Sequence, residues 1–226
     1  MASSFYKEKE RYYVAVDCII FGFREGELHL LLINRNFEPA KGEWSLMGGF
    51  LEKHESTHQA AQRVLYELTG LENIFMKQVG VFSEIDRDPG ERVISAAYYA
   101  LMNIDHYDPE LARIHNAQWI PIHRLPKLIF DHREMVEKAR RLLQQQAANE
   151  PIGFNLLPKF FTLTRLQMLY EAIYGEPLDK RNFRKKLAGM DFIEKTDQLD
   201  RSGSKRGAWL YQFNDNNYRK DTKFKL

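Results

Sequence analysis

Two of the three acids and the one arginine in the stretch Gly49–Leu71, GFLEKHESTHQAAQRVLYELTGL, raise the first chemical question. Glu55 and Glu67 are carboxylates that could serve metal chemistry, with Arg63 between them. Carboxylate oxygens are what a hard cation such as magnesium takes. Such a cation neutralises phosphate oxygens and activates water for attack on phosphorus. Positions 64, 67 and 68 lie three and four apart, so on a helix they share one face. Only position 67 on that face is acidic. Val64 and Leu68 form an apolar i, i+4 pair that suits packing and holds no cation. The expectation is therefore no catalytic residue, no resident metal and no cofactor. His54 and His58, four apart, read as solvated, because two histidines without a third ligand rarely make a metal site.

A second chemistry lies near the C-terminus. Lys180, Arg181, Asn182, Arg184 and Lys185 crowd one short segment, and Arg201, Ser202, Ser204, Lys205 and Arg206 crowd another, with Arg165 upstream. Arginine, lysine and asparagine at such density can clamp phosphates and read base edges.

The elements that must carry these groups are legible from pattern. Tyr12 to Phe23 is β-branched and aromatic and predicts a strand. The apolar run Leu28 to Asn34 predicts a buried one. The paired glycines Gly48 and Gly49 let backbone approach a ligand closely. Ser56 or Thr57 caps a helix running to Thr69 and stopped by Gly70. Phe75 to Phe82, Val93 to Met102 and Trp119 to Pro121 predict further strands, with the polar loop Ser83 to Arg92 between the first two. Asp131, with Glu134 three residues on, has the form of a capping box opening a helix to about Ala148.

The polar stretch from Gln144 ends in Pro151 and Gly153, which sets a domain boundary near 150, between residues 1–150 and 151–226. Beyond it, Leu163 to Tyr174 predicts a helix capped by Thr164. After a tight turn at Gly175, Asp179 caps a second helix, KRNFRKKLAGMDF, with Phe183, Leu187 and Met190 inward. A basic loop, 200–207, then leads into a strand, Ala208 to Phe213. Helix, turn, helix and a hairpin with a basic tip is the order of a winged helix, whose second helix fits the DNA major groove.

The totals restrict the alternatives. The chain has 226 residues, 44% hydrophobic and 28% charged, which suits one or two globular domains. No run of about 18 apolar residues suggests a membrane span, and MASSFYKEKERYY is too polar for a secretory signal. The single cysteine, Cys18, lies in an apolar run and fits a reducing cytoplasm. Residues 1–149 hold 18 Lys and Arg against 21 Asp and Glu, a net of −3. Residues 150–226 hold 15 against 10, a net of +5, so the basic part could meet a polyanion.

Gly49, Glu55, Arg63, Leu65, Glu67, Gly70 and Leu71 fall in the register of the Nudix box, and the stretch resembles it. The box has glutamate where this chain has Val64 and Leu68. With the C-terminal elements added, nearly the whole chain resembles the Nudix-related transcriptional regulators. Arg87 to Tyr99 (RDPGERVISAAYY) and Leu128 to His132 are similar to the ADP-ribose-handling Nudix branch. The resemblance implies an α+β chain, in which a Nudix fold, an α/β/α sandwich with a mixed sheet, precedes a winged helix-turn-helix domain. It implies a homodimer on a palindromic double-stranded operator that answers to a small metabolite, with Arg63 bracing the box loop through Glu55. Loss of two helix carboxylates weakens a metal–diphosphate clamp, so the expected effector leans to a pentose sugar such as arabinose. An ADP-ribose effector in NAD metabolism is the alternative, and an active ADP-ribose hydrolase a further one. Trp44, Glu55, Arg63, Glu67, Asp86, Arg87 and Tyr98 are the expected effector residues.

Overall fold

The computed structural model describes residues 7–202, 206–214 and 218. Strand β1 (Tyr13–Arg24) turns through Glu25 and Gly26, both at positive φ, into β2 (Glu27–Asn34). Short strands β3 (Trp44–Ser45) and β4 (Met47–Phe50) lead to helix α1 (Thr57–Thr69). Strands β5 (Phe75–Phe82) and β6 (Val93–Leu101), a short helix α2 (Pro109–Ile114), β7 (Ala117–Pro121) and the long helix α3 (His132–Ala147) follow. The sheet runs β3-β2-β1-β6-β5, with β4 against the first half of β1 and β7 against β2. The pair β1–β6 is parallel and the others are antiparallel, so the sheet is mixed.

Strand alternation sends side chains of β1 to two different layers. Val16, Cys18 and Ile20 pack with Ala60, Ala61, Val64 and Leu65 of α1. Ile19, Phe21 and Phe23 pack with Met135, Val136, Ala139 and Leu143 of α3. Each valine, leucine, isoleucine, methionine or phenylalanine among them taken fully out of water contributes about 1.5–3 kcal/mol, so both helices are fixed by burial. Ser56 caps α1 in a full capping box with Gln59, and Gly70, at φ 68°, ends it.

The other end of the sandwich departs from expectation. Asp131 occupies the N-cap position of α3, but its carboxylate makes no capping hydrogen bond. It is taken instead by the guanidinium of Arg87, a stronger partner than a backbone amide.

The C-terminal elements are β8 (Phe161–Thr162), α4 (Leu163–Tyr174), α5 (Lys180–Leu187), β9 (Ile193–Asp200) and β10 (Ala208–Phe213), with a sheet ordered β8-β10-β9. Thr162, not Thr164, caps α4. Pairing of Phe161 and Thr162 with β10 starts the helix earlier, and the Thr162 hydroxyl accepts from Arg165 N at 3.1 Å. Helix α5 stops at Leu187, short of the expected Phe192, as the chain turns through Ala188 and Gly189. The presumed boundary near 150 falls between α3 and the 3-10 turn Ile152–Leu156. The apolar core does not stop there: Leu166, Leu169, Tyr170, Ile173, Phe183 and Leu187 share one cluster with the inner face of α3. Gln144 of α3 also donates through Nε2 to the carbonyls of Ile173 and Tyr174, at 2.9 and 3.3 Å. Among the described residues no helix is long and apolar enough to cross a membrane.

Candidate functional site

Val64 is 2% exposed and Leu68 half-buried, and both pack into the layer between α1 and the sheet. Arg63 holds what carboxylates remain. It donates from Nε and Nη2 to Glu55 at 3.1 and 2.7 Å, to the carbonyl of Phe50 at 3.1 Å, and from Nη1 to Glu67 at 3.4 Å. The hydrogen bond to Glu55 first, then the Glu55 charge, the Glu67 bond and the Glu52 charge, raise the Arg63 pKa against desolvation, and the bond from Arg63 holds the Glu55 carboxyl below its usual range. Glu55 is thus held by a cation of the chain itself, while Glu67, 55% exposed, meets the same arginine only at 3.4 Å. Among the described residues no group of three histidine, cysteine or acidic side chains could hold a metal. The donor set does not fit a Nudix magnesium.

The cavity with convergent polar groups lies elsewhere, on the α3 side of the sheet. It encloses about 330 Å³ between Asp17 and Val16 of β1, Arg35 and Phe37 after β2, Gly48 and Gly49 of β4, Arg87, and Phe130 and His132 at the head of α3. Gly48 is required there, because a Cβ at that position would stand 2.6 Å from both Asp17 Oδ1 and the carbonyl of Val16. The Arg35 guanidinium lies 4.1 Å over the Phe37 ring and donates from Nε to the Pro39 carbonyl at 2.8 Å. Burial lowers the Arg35 pKa, against the charges of Asp88, Asp17 and Glu38. Phe37 is 53% exposed, so a flat aromatic face opens onto solvent at the rim.

Behind this rim sits a buried polar network. Arg87 Nε and Nη2 each reach Asp131 at 2.8 Å, and Nη2 stands 3.6 Å from Asp17. Burial works against the Arg87 charge, but the hydrogen bonds and charge of Asp131, with Asp17 and Asp88, outweigh it and raise the pKa. Ser95 Oγ donates to Asp17 at 2.6 Å. His132 Nδ1 accepts from Leu46 N at 3.1 Å, so its proton is on Nε2, 3.6 Å from Asp17 Oδ1. Burial pushes the His132 pKa below 6.5, although Asp17 and Asp131 pull the other way.

A pH dependence follows. The unfolded ring takes a proton near pH 6.5 while the folded ring refuses it until lower pH. The stability due to neutral His132 is therefore complete above that value and is lost as pH falls below it. Chemical denaturation between about pH 7.5 and about pH 5.5 should show declining stability. The decline should be shallower in His132→Asn.

Of the seven expected effector residues, only Arg87 lines this cavity. Asp86 lines the adjoining hollow with Arg87, Phe130 and Asp131. Glu55, Arg63 and Glu67 form the brace on α1. Trp44 packs against the core and pairs through its backbone with Asn34. Tyr98 is 4% exposed on the α1 face and its hydroxyl meets Thr57 Oγ1 at 2.9 Å. Asp17, Arg35, Phe37, Phe130 and His132 were not singled out as effector residues in the sequence. A lone carboxylate inside the apolar strand YVAVDCII was the available signal for Asp17. Cys18 is fully buried, and burial pushes its thiol pKa up, which makes it inert in the folded chain.

On the basic side, Lys180, Arg181, Asn182, Arg184 and Lys185 are all exposed on α5, while Phe183 and Leu187 anchor the helix from within. Asp179 caps it through Asn182 N at 2.8 Å. Arg201 and Arg206 are exposed beside the β9–β10 turn, and Ser204 and Lys205 lie outside the described residues. Arg165 is drawn toward Asp105 of the N-terminal half, at 3.7 Å. Lys195, over the exposed Trp209 ring at 3.6 Å, adds a further cation on the wing.

Residues 11–144 match the NUDIX domain family, and residues 153–213 match the NrtR DNA-binding winged helix domain. The class defined by this fold is a Nudix domain that carries a winged helix. Among curated proteins, the "ADPR responsive transcriptional repressor NtrR" of Acinetobacter baylyi is 34% identical over 204 residues, 88% of this chain and 81% of that protein. The ADP-ribose pyrophosphatase of Methanocaldococcus jannaschii is 34% identical over 137 residues, 59% of this chain and 79% of that protein. The crystal structure of Shewanella oneidensis NrtR complexed with a 27mer DNA superimposes with a TM-score of 0.80 at 28% identity, covering 90% of this chain and 94% of that one. The NUDIX domain of the same protein complexed with ADP ribose gives 0.54 at 28% identity, covering 63% and 99%. The chain belongs to the Nudix-related transcriptional regulators and is a DNA-binding regulator with a Nudix domain.

Proposed function

We propose that this regulator answers to ADP-ribose or a closely similar nucleoside diphosphate sugar, bound in the cavity at the head of α3. The observation that carries the reading is one cavity lined by two arginines, Arg35 stacked on Phe37 at the rim and Arg87 buried behind it. Arg35 and Arg87 offer two guanidinium forks to a diphosphate, beside the acids Asp17, Glu38 and Asp88 on the same lining, and Phe37 and Phe130 offer flat faces for a base. This removes the ground for preferring a neutral sugar, which rested on the missing box carboxylates. The names of the Acinetobacter repressor and of the Shewanella complex, both linked to ADP-ribose, support the same choice.

In this reading residues 1–150 sense the effector and residues 151–226 hold DNA. Helix α5 enters the major groove through Lys180, Arg181, Asn182, Arg184 and Lys185, and the wing, with Arg201, Ser204, Lys205 and Arg206, follows the backbone. The chain acts as a homodimer on a palindromic operator. The Nudix hydrolase activity is lost, because Val64 and Leu68 fill the seats of two carboxylates. A regulator of DNA works in the compartment that holds the DNA, which fits the reducing cytoplasm inferred from Cys18.

Titration calorimetry with ADP-ribose tests the reading. Binding is expected without magnesium, and Arg35→Ala should weaken it by about tenfold or more, since one charge-assisted hydrogen bond is worth about 1.5–3 kcal/mol. No heat of binding from the unaltered protein, or magnesium-dependent turnover of ADP-ribose, would sink it.

A further inference from the structure

The Arg87–Asp131 pair stands where three things meet. Arg87 lines the effector cavity. Asp131 occupies the N-cap position of α3 without capping it. Helix α3 in turn holds α4: its inner face shares the core with Leu169, Tyr170 and Ile173, and Gln144 donates to the last carbonyls of α4. Those carbonyls immediately precede Gly175, whose left-handed backbone, φ 77°, turns the chain toward α5. A displacement of α3 therefore reaches the helix pair that carries the basic face, through packed side chains and direct hydrogen bonds.

Each member of the pair has a second partner within reach of its chemistry. Asp131 stands at the N-cap position with φ −93° and ψ 13°, outside the extended backbone a capping aspartate adopts, so capping requires its backbone to turn as well as its side chain. The Arg87 guanidinium lines the cavity with Arg35, among the acids Asp17, Glu38 and Asp88, and a phosphate is as good a match for its fork as a carboxylate. We infer that Arg87–Asp131 is a latch between the effector cavity and the DNA-binding half. An anionic effector takes Arg87, the freed Asp131 turns to cap α3, and the reset first turn shifts α3 against α4. One bidentate partner is exchanged for another while the orphan amides of α3 gain an acceptor, so neither buried charge is left alone during the switch. The identity of the ligand rests on the functional reading above, whereas the latch rests on the hydrogen bonds just described.

The test uses the full chain and two variants, Asp131→Asn and Asp131→Ser. Both replacements cap a helix well and neither supplies a charged fork for Arg87. DNA affinity is read on a duplex from the region upstream of the protein's own coding sequence, with and without ADP-ribose, and backbone hydrogen exchange is followed in parallel. Without ligand, both variants should bind DNA within about threefold of the affinity that the unaltered protein shows only when saturated with ADP-ribose. ADP-ribose should then shift them by less than about twofold, and should bind them about threefold or more tightly, because it no longer competes with Asp131. Exchange should slow in 133–136 and change in 166–174. Variants that keep the full response to ADP-ribose overturn the latch. If the unaltered protein does not bind ADP-ribose at all, the choice of ligand fails. The latch is then decided by exchange alone: altered protection in 166–174 supports it, and unchanged protection there overturns it.

Discussion

Replacing Arg181 and Arg184 together with alanine is expected to lower affinity for the operator duplex by about a hundredfold or more, with no loss of fold. Both side chains are exposed on α5, and the helix is anchored by Phe183 and Leu187, each 4% exposed, and by the Asp179 cap. Neither arginine is needed for that anchorage. In the duplex each would supply a guanine fork or a phosphate contact, worth about 1–3 kcal/mol. The two are three residues apart on one helix, so their losses add imperfectly. Even so, a combined loss near 3 kcal/mol is about a hundredfold. Filter binding or anisotropy at moderate salt measures it, and an unchanged melting temperature shows that the winged helix is intact. Arg181→Ala alone should relax preference at one base pair if that side chain reads a base, whereas loss of a phosphate contact lowers affinity for every sequence and flattens the salt slope. Undiminished affinity in the double variant would mean that α5 docks something other than DNA.

That basic helix was visible in the sequence because everything that makes it is local. The cap, the apolar stripe of Phe183 and Leu187 and the outward cations all fall within nine residues of one another. The Nudix box was visible for the same reason: Ser56, Arg63, Glu67 and Gly70 act on their own helix or on the loop beside it. The cavity was not, because it has no local signature. Its groups come from β1, the segment after β2, the segment before β6 and the head of α3, and are joined only by the sheet. Tyr98 shows how a single step of parity misleads. Its neighbour Tyr99 faces α3 with Ala97 and Leu101, so Tyr98 must face α1, away from Arg87. Asp131 shows the converse. Its sequence context reads as a cap by every local rule, and a partner 44 residues away overrides that context.

Arg87→Ala should be the most damaging single change in the N-terminal half, with ADP-ribose binding lost and stability lowered by about 3–5 kcal/mol. The Arg87 side chain is 3% exposed, and its partners Asp131 and Asp17 are 15% and 11% exposed. Removing the arginine leaves two shielded carboxylates facing the same space, and an orphaned buried charge costs far more than the pair was worth. A natural domain has only about 5–15 kcal/mol in hand, so the change should be obvious in urea denaturation. Arg87→Lys should fall between, since an ammonium keeps the charge but not the fork that meets both Asp131 oxygens. Two features of the site limit the damage. Ser95 continues to donate to Asp17. Asp131, released, can turn to the uncapped amides of α3, so the lower half of the range is the better expectation. The double variant Arg87→Ala, Asp131→Ala should regain part of the loss, because it removes the orphan along with its partner. A single-variant cost no larger than the ~1 kcal/mol of an exposed ion pair would show that water reaches these groups in the folded chain. Equal costs for the single and double variants would show that Asp131 bears no unpaired charge once Arg87 is gone.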